Sequence, residues 1–133
     1  MDFDCEKVAR TCRREDALLL ILFGSRAGSD APSDSDTDLA VMLESSPAGL
    51  ADLVRLEDSL REAMEITGRI DLVILNDTES TTLRREIVRT GKVLFDSDGE
   101  QFSQFAARAI RDFADFAPFR RLRRQVLTER FKP

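Results

Sequence analysis

The sequence contains no histidine and only two cysteines among its 133 residues. Without histidine, the chain lacks the usual parts of zinc sites, of Ser-His-Asp triads and of Cys-His dyads. The two cysteines, Cys5 and Cys12, are predicted to lie about 10 Å apart along one helix, which is too far for a mutual disulfide. Any catalysis by this chain is therefore expected to depend on carboxylates.

Long hydrophobic runs are also missing. The longest run, Ala17–Phe23, is far shorter than the roughly 20 apolar residues of a membrane-spanning helix, and the charged segment before it has no cleavage-type sequence. The chain is 42% hydrophobic and 34% charged, which is typical of a folded protein rather than a disordered one. We expect one domain, residues 1–133, located in the cytoplasm and without membrane contact.

Negative charge exceeds positive charge except at the end of the chain. Residues 117–133 contain six Arg and Lys and one Glu, a net charge of +5 in a chain whose total is −5, so the remainder carries −10. This acidic balance argues against direct nucleic-acid binding, which needs clustered cations. The basic residues of the amphipathic tail, 118–133, are expected to be the solvated face of a last helix, with a docking surface for a partner as the alternative.

Helix and strand patterns alternate along the chain. The first helix is predicted from Cys5, Val8, Ala9 and Cys12, which have the i, i+3, i+4, i+7 spacing of one helix face. Strands are predicted at 17–23, 36–43, 69–76 and 92–96, the last at a sheet edge, and further helices at 50–67, 82–90 and 102–116. This alternation predicts an α/β fold, with a small mixed sheet of about four strands backed by helices.

For two of the predicted helices, the sequence also predicts where the helix ends or which residues pack on the core. Gly68 is expected to end the helix that begins at Leu50, whose apolar positions include Val54. The helix predicted at 102–116 is expected to pack on the core through one continuous stripe, which consists of Phe102, Phe105, Ala106, Ala109, Ile110, Phe113 and Phe116.

Two carboxylates stand at the beginning of the second predicted strand. Asp36 and Asp38 are two residues apart, so in a strand their side chains point to the same face, with Cα atoms about 6.6 Å apart. Such a pair can bind one hard cation, and Mg²⁺ suits it best because Mg²⁺ prefers oxygen ligands and bridges carboxylates to phosphates. Taken alone, a D-x-D pair is more often a solvated strand end.

Two further features favour a site for phosphate and metal. Gly24 and Ser25 end the first strand, where glycine allows a close backbone approach to phosphate, and Arg26 adds a cation. Asp71 opens the third strand, and because an unpaired acid on an apolar sheet is costly, a shared metal is its expected partner. Three acids around one or two cations are typical of nucleotidyl transfer, in which the third acid accepts a proton from the attacking hydroxyl.

This ordered set resembles the signature of the polymerase β-type nucleotidyltransferases, which is G-S-x-A-x-G followed by S-D-x-D and a third acid in a later strand. The matching residues are Gly24, Ser25, Ala27, Ser35, Asp36, Asp38 and Asp71. Within that superfamily the chain resembles the minimal nucleotidyltransferases, which are the antitoxins of HEPN-domain toxins. The resemblance runs from residue 17 almost to the end and implies the polymerase β-like fold.

The resemblance also implies an activity, in which AMP is transferred from ATP to tyrosine of a partner HEPN ribonuclease toxin. It implies roles for three groups of residues. Gly24 and Ser25 hold the triphosphate, with Arg26 and Ser35 in the same nucleotide-binding group. Asp36 and Asp38 bind one or two Mg²⁺ ions, and Asp71 is the third ligand and the base. Because the chain contains no tyrosine, a tyrosine acceptor must come from another protein. We expect a hetero-oligomer with the toxin, or a homo-oligomer in which a second copy completes the acceptor site.

Two alternatives stay open. Gly28 and Ser29 stand where the family commonly has Arg-Gly after G-S-x-A, so a basic contact is missing. This departure is compatible with a non-catalytic antitoxin that neutralises its partner by binding. The other alternative is a nucleotidyltransferase that modifies a small-molecule hydroxyl, such as that of an aminoglycoside, although the chain has no room for the second domain that completes such a cleft.

Overall fold

The structure, a computed structural model, describes residues 3–24 and 36–115. Their helices and strands alternate as the sequence predicts. The order is α1 (Cys5–Arg14), β1 (Ala17–Phe23), β2 (Thr37–Leu43), α2 (Leu50–Met64), β3 (Ile70–Ile74), α3 (Thr81–Thr90), β4 (Lys92–Asp96) and α4 (Gln101–Asp115). The predicted tail, 118–133, and the predicted site residues Ser25, Arg26 and Ser35 lie outside the described residues.

The strands of the described part form one mixed sheet in the order β3-β2-β1-β4. β1 pairs antiparallel with β2 and with β4, whereas β2 and β3 are parallel. The prediction of a small mixed sheet is confirmed, and β4 is an edge strand as expected. β1 and β2 occupy the centre, which places the strongest apolar run of the sequence where both faces are covered.

Helices cover the two faces of the sheet separately. α1 and α2 pack on one face, where the core includes Val8, Cys12, Leu20, Leu22, Leu39, Val41, Leu60 and Met64. α3 and α4 pack on the other face, where the core includes Leu19, Ile21, Phe23, Ala40, Ile87, Phe105 and Ala109. Because side chains alternate along a strand, β1 contributes to both cores and needs apolar residues at every position.

Helix α2 ends earlier than the sequence predicts. Its last residue is Met64, and Glu65 has the left-handed backbone that terminates it, with φ of 53°. The guanidinium of Arg61 donates hydrogen bonds to the carbonyls of Ile66 and Gly68, at 3.2 and 2.7 Å. These bonds fix the chain in a turn before Gly68, so the prediction of Gly68 as the helix end is wrong.

Several apolar residues of the helices do not pack on the core. Leu50 and Val54 of α2 are 75% and 47% exposed, and Ile110 of α4 is 57% exposed. The continuous stripe predicted for residues 102–116 is therefore wrong at Ile110, whereas Phe105 and Ala109 are buried and Phe116 lies outside the described residues. None of the helices within the described ranges combines the length and apolar character that crossing a membrane requires.

The two cysteines are free, as the helical spacing predicts. Cys12 faces the core between α1 and the sheet, and burial raises the pKa of its thiol to about 12. Because the thiolate is the nucleophilic form, this thiol is inert at neutral pH. Cys12 is thus a core residue and not a candidate nucleophile.

An asparagine side chain extends the pairing of β2 with β3. The sequence predicts a strand to Asn76, but β3 ends at Ile74. Beyond that point the Leu43 N–H donates to Oδ1 of Asn76 at 2.9 Å, and Nδ2 of Asn76 donates to the Leu43 carbonyl at 2.8 Å. The side-chain amide thus replaces the backbone of a further strand residue and satisfies both groups of Leu43.

We expect Asn76→Ala to lower the free energy of unfolding by about 1–3 kcal/mol, because two hydrogen bonds worth about 0.5–1.5 kcal/mol each are lost. Urea unfolding followed by circular dichroism measures the change. Ser46→Ala, which removes an exposed hydrogen bond to Asp77, is the matched control and should cost less than about 0.5 kcal/mol. Equal losses in both variants would contradict this role of Asn76.

Candidate active site

Three of the predicted site residues meet at one end of the sheet. Phe23, the last residue of β1, pairs with Asp38 near the beginning of β2, and Asp38 pairs with Asp71 of β3. β1 and β2 are antiparallel, so the end of one lies beside the beginning of the other, and Gly24 follows directly. Neighbouring strands lie about 4.8 Å apart, so the register alone makes Asp38 and Asp71 neighbours.

The two paired carboxylates also share a face of the sheet. Asp38 alternates with Ala40, and Asp71 with Val73, and both apolar residues belong to the core under α3 and α4. Asp38 and Asp71 therefore point to that side, at the end of the sheet where β1 terminates. Asp36 is exposed and precedes β2, which begins at Thr37, so the prediction that Asp36 lies within the strand is wrong.

Gly24 and Asp38 are in direct contact. Gly24 has a φ of 74°, and a Cβ added at this position would overlap Oδ2 of Asp38 and lie 3.1 Å from its Cγ. Glycine is thus required both by the backbone conformation and by the carboxylate beside it. The contact sets a backbone turn and a carboxylate side by side, as the sequence predicts for a site that holds phosphate and metal.

The electrostatics of Asp38 show that the three acids interact. Partial burial raises the pKa of the Asp38 carboxyl above its ordinary value, and the negative charges of Asp71 and Asp36 raise it further. Desolvation and like charges both disfavour the carboxylate form. A cation at this position would relieve both effects.

Asp71 has a partner that the sequence analysis missed. Nε of Arg69 lies 3.2 Å from Oδ1 of Asp71, and the two side chains are 74% and 42% exposed. The cost that a metal was expected to offset is therefore already reduced, since Asp71 is half-exposed and has a guanidinium beside it. The signal was present in the sequence, because Arg69 stands two residues before Asp71 and such residues share a face of an extended chain.

The donor chemistry of the site fits Mg²⁺, although the carboxylates are not arranged as a metal-binding group. Asp36, Asp38 and Asp71 offer the hard oxygen ligands that this ion prefers. Within residues 3–24 and 36–115, however, no three His, Cys, Asp or Glu side chains converge closely enough to hold a metal ion. The ion pair with Arg69 directs Asp71 to a different cation. Metal ligation by these three residues stays a prediction.

Sequence comparison identifies two matches. The family model described as polymerase beta, nucleotidyltransferase, matches residues 6–100. The protein adenylyltransferase MntA of Aphanizomenon flos-aquae is 34% identical over 95 residues, which are 65% of this chain and 62% of that protein. The chain thus aligns with less than two thirds of the length of this curated relative.

Solved structures share the fold over nearly the whole chain. A crystal structure of a toxin-antitoxin with AMP-PNP has a TM-score of 0.75 at 24% identity and covers 94% of this chain and 98% of that one. A complex of the MNT antitoxin with the tri-AMPylated HEPN toxin of Shewanella oneidensis has a TM-score of 0.68 at 23% identity, covering 93% and 95%. The α/β architecture of this chain is the polymerase β-like nucleotidyltransferase fold.

We expect Gly24→Ala to destabilise the protein more than Gly99→Ala does. Both glycines have a positive φ, 74° and 80°, but only Gly24 has a side chain, that of Asp38, in the space of the new Cβ. The backbone cost is about 1–2 kcal/mol at each position, and the overlap with Asp38 adds about 1–3 kcal/mol at Gly24. Urea unfolding of the two variants measures the difference.

A double-mutant cycle tests whether the overlap with Asp38 causes the larger destabilisation that is expected for Gly24→Ala. In an Asp38→Ala background the overlapping oxygen is absent, so Gly24→Ala should cost no more than Gly99→Ala. The expected coupling between the two substitutions is about 1 kcal/mol or more. Strict additivity would show that Gly24 and Asp38 do not touch.

The raised pKa of Asp38 predicts a pH dependence of stability. Because the folded-state pKa lies above the unfolded value of about 3.9, this carboxylate destabilises the fold at neutral pH, and the penalty fades as pH falls through the folded pKa. In EDTA, Asp38→Asn should therefore be more stable than the wild type at pH 7, with a gain that shrinks as pH falls through the folded pKa and is gone below about pH 4.

The control for this measurement is Asp58→Asn, which removes one negative charge from an exposed position of α2. Thermal unfolding at a series of pH values distinguishes the two variants. A gain of Asp38→Asn that is the same at every pH, or that is equalled by Asp58→Asn, would contradict a specific effect of the clustered carboxylates.

Proposed function

The chain belongs to the polymerase β nucleotidyltransferase family, and on that premise we propose that it is a Mg²⁺-dependent adenylyltransferase that acts as an antitoxin. Its substrates are ATP and a tyrosine hydroxyl of a partner HEPN-type toxin. The observation that carries this proposal is the register that sets Asp38 and Asp71 side by side at the sheet end where Gly24 turns. Residues 1–133 are taken as one such domain, located in the cytoplasm.

The proposed reaction is a single displacement at phosphorus. The tyrosine oxygen bonds to the α-phosphorus of ATP, the bond from that phosphorus to the bridging oxygen breaks, and pyrophosphate leaves. The hydroxyl proton passes to the carboxylate of Asp71. Mg²⁺, when bound, would neutralise charge on the phosphates, and Asp36, Asp38 and Asp71 are the residues that would hold it.

The nucleotide is bound at the turn that follows β1. Gly24 allows the triphosphate close to the backbone, and we assign the contacts beyond it to Ser25, Arg26 and Ser35. The acceptor comes from outside, because the chain has no tyrosine of its own. Support for a HEPN acceptor comes from the fold, which the chain shares with an MNT antitoxin in complex with a tri-AMPylated HEPN toxin.

The ion pair of Arg69 with Asp71 favours one alternative, an antitoxin that neutralises its partner by contact alone. Three clustered acids without a metal are costly, but Arg69 offsets part of that cost in this chain. Calorimetry with ATP and Mg²⁺ separates the two functions. A pure binder gives no heat with the nucleotide and still forms a tight complex with the toxin.

We expect the chain to transfer label from ATP labelled at its α-phosphate to a HEPN-type toxin that forms a complex with it. Asp71→Asn should slow this transfer by about 10²- to 10⁴-fold, which is the usual contribution of a general base. Asp38→Asn should also abolish most of it. Gel autoradiography of the toxin, with mass spectrometry of the modified tyrosine, measures the outcome.

Asp58→Asn is the matched control, because it removes a carboxylate from α2 on the opposite face of the sheet. It should transfer at the wild-type rate. A labelled toxin whose signal is the same with wild type, Asp38→Asn and Asp71→Asn would overturn the assignment of the site, and an unlabelled toxin would overturn the proposed activity.

A further inference from the structure

Arg69 is placed to act on the carboxylates without being one of the family's signature residues. Its guanidinium pairs with Asp71 at 3.2 Å, and its backbone carbonyl accepts a hydrogen bond from the Thr37 N–H at 2.8 Å. Thr37 lies between Asp36 and Asp38 in the chain, so the backbone of Arg69 is tied to the segment that carries both acids. The Arg69 side chain is 74% exposed, so its guanidinium can move away from Asp71 into solvent.

The negative charges at this end of the sheet are stabilised by a cation such as the Arg69 guanidinium. Asp36, Asp38 and Asp71 repel one another when all three are ionised. Across the described ranges, 3–24 and 36–115, Arg69 is the only cationic side chain that forms an ion pair with any of the three. Its guanidinium therefore offsets part of the repulsion when no other cation is present.

We propose that Arg69 is a built-in counter-ion that occupies Asp71 in the cation-free protein and competes with a divalent cation for that carboxylate. This inference depends on the proposed function, in which the three acids bind the ion. It accounts for the finding that Asp71 is directed to a guanidinium although its register places it beside Asp38. Arg69 is in this sense a positioning residue, because it acts on the ion through Asp71.

The competition has a measurable consequence for binding of a divalent cation alone. Because the ion pair must break before Asp71 can bind the divalent cation, the free energy of the pair reduces the free energy that is gained when the cation binds. An exposed pair of this kind is weak, so Arg69→Gln should bind Mn²⁺ about two- to fivefold more tightly than the wild type. Arg69→Lys keeps the competing charge and should stay close to the wild type.

The test is a titration of the full chain with Mn²⁺ and no nucleotide, in which electron paramagnetic resonance measures the free ion. The matched control is Arg55→Gln. Arg55 pairs with Glu15 at 3.6 Å and is 71% exposed, close to the 74% of Arg69. Glu15 precedes β1, so this pair lies at the opposite end of the sheet. Arg55→Gln removes the same unit of charge and should leave the Mn²⁺ affinity unchanged.

Thermal unfolding supplies a second readout that does not depend on the titration. In EDTA, Arg69→Gln should have a lower Tm than the wild type, because the repulsion is no longer offset, and saturating Mn²⁺ should raise its Tm by more. Arg55→Gln should show no such enlarged response to Mn²⁺.

Two results would overturn the inference. The first is an Arg69→Gln variant that binds Mn²⁺ no more tightly than the wild type. The second is an equal gain in Arg55→Gln or in Arg69→Lys, which would indicate an effect of net charge or of side-chain shape. Either result leaves the proposed function standing if the wild type binds Mn²⁺ and Asp38→Asn does not. Absence of Mn²⁺ binding in every variant would overturn both the inference about Arg69 and the proposed function.

Discussion

The repulsion among three carboxylates at one end of the sheet is the constraint on which the rest of this structure depends. Partial burial and the charges of Asp36 and Asp71 both raise the pKa of Asp38. The fold nevertheless holds Asp38 against the backbone of Gly24, where only glycine fits. Within the part of the chain that the structure describes, Arg69 is the cation that pairs with this cluster, at Asp71. The repulsion that this pair leaves unrelieved is the electrostatic basis of the proposed cation site.

The fold tolerates this constraint because the strain is confined to the end of the sheet. Apolar residues fill both faces of β1 and β2 away from that end, where α1 and α2 cover one side and α3 and α4 the other. The mixed topology is also necessary, since an antiparallel β1 brings the turn at Gly24 beside the first residues of β2, and a parallel β3 brings Asp71 beside Asp38. Loss of this register would separate the acids.

Much of this could be predicted from the sequence, because the signals are local. The apolar run of β1 and the alternation of helices and strands predict the layered α/β fold, and Gly24, Asp38 and Asp71 stand at strand ends that a mixed sheet brings together. What could not be predicted depends on side-chain contacts. The early end of α2 follows from hydrogen bonds of Arg61 to carbonyls of the next turn. The spacing of Arg69 and Asp71 permits their pairing, but spacing alone does not decide whether two exposed side chains meet. Ile110 is exposed although it belongs to the predicted apolar face of its helix. Helical periodicity predicts which face of a helix packs on the core, but not how many of the residues on that face are buried.

The central claim is that the carboxylates at the Gly24 turn form the binding site for a divalent cation with its nucleotide. The most direct measurement is a crystal structure with Mn²⁺ and a non-hydrolysable ATP analogue, with diffraction data collected at the manganese absorption edge. The account predicts an anomalous peak about 2.0–2.6 Å from carboxylate oxygens of Asp38 and of at least one of Asp36 and Asp71. A bound nucleotide whose metal lies elsewhere, or a nucleotide bound with no metal at these carboxylates, would contradict it.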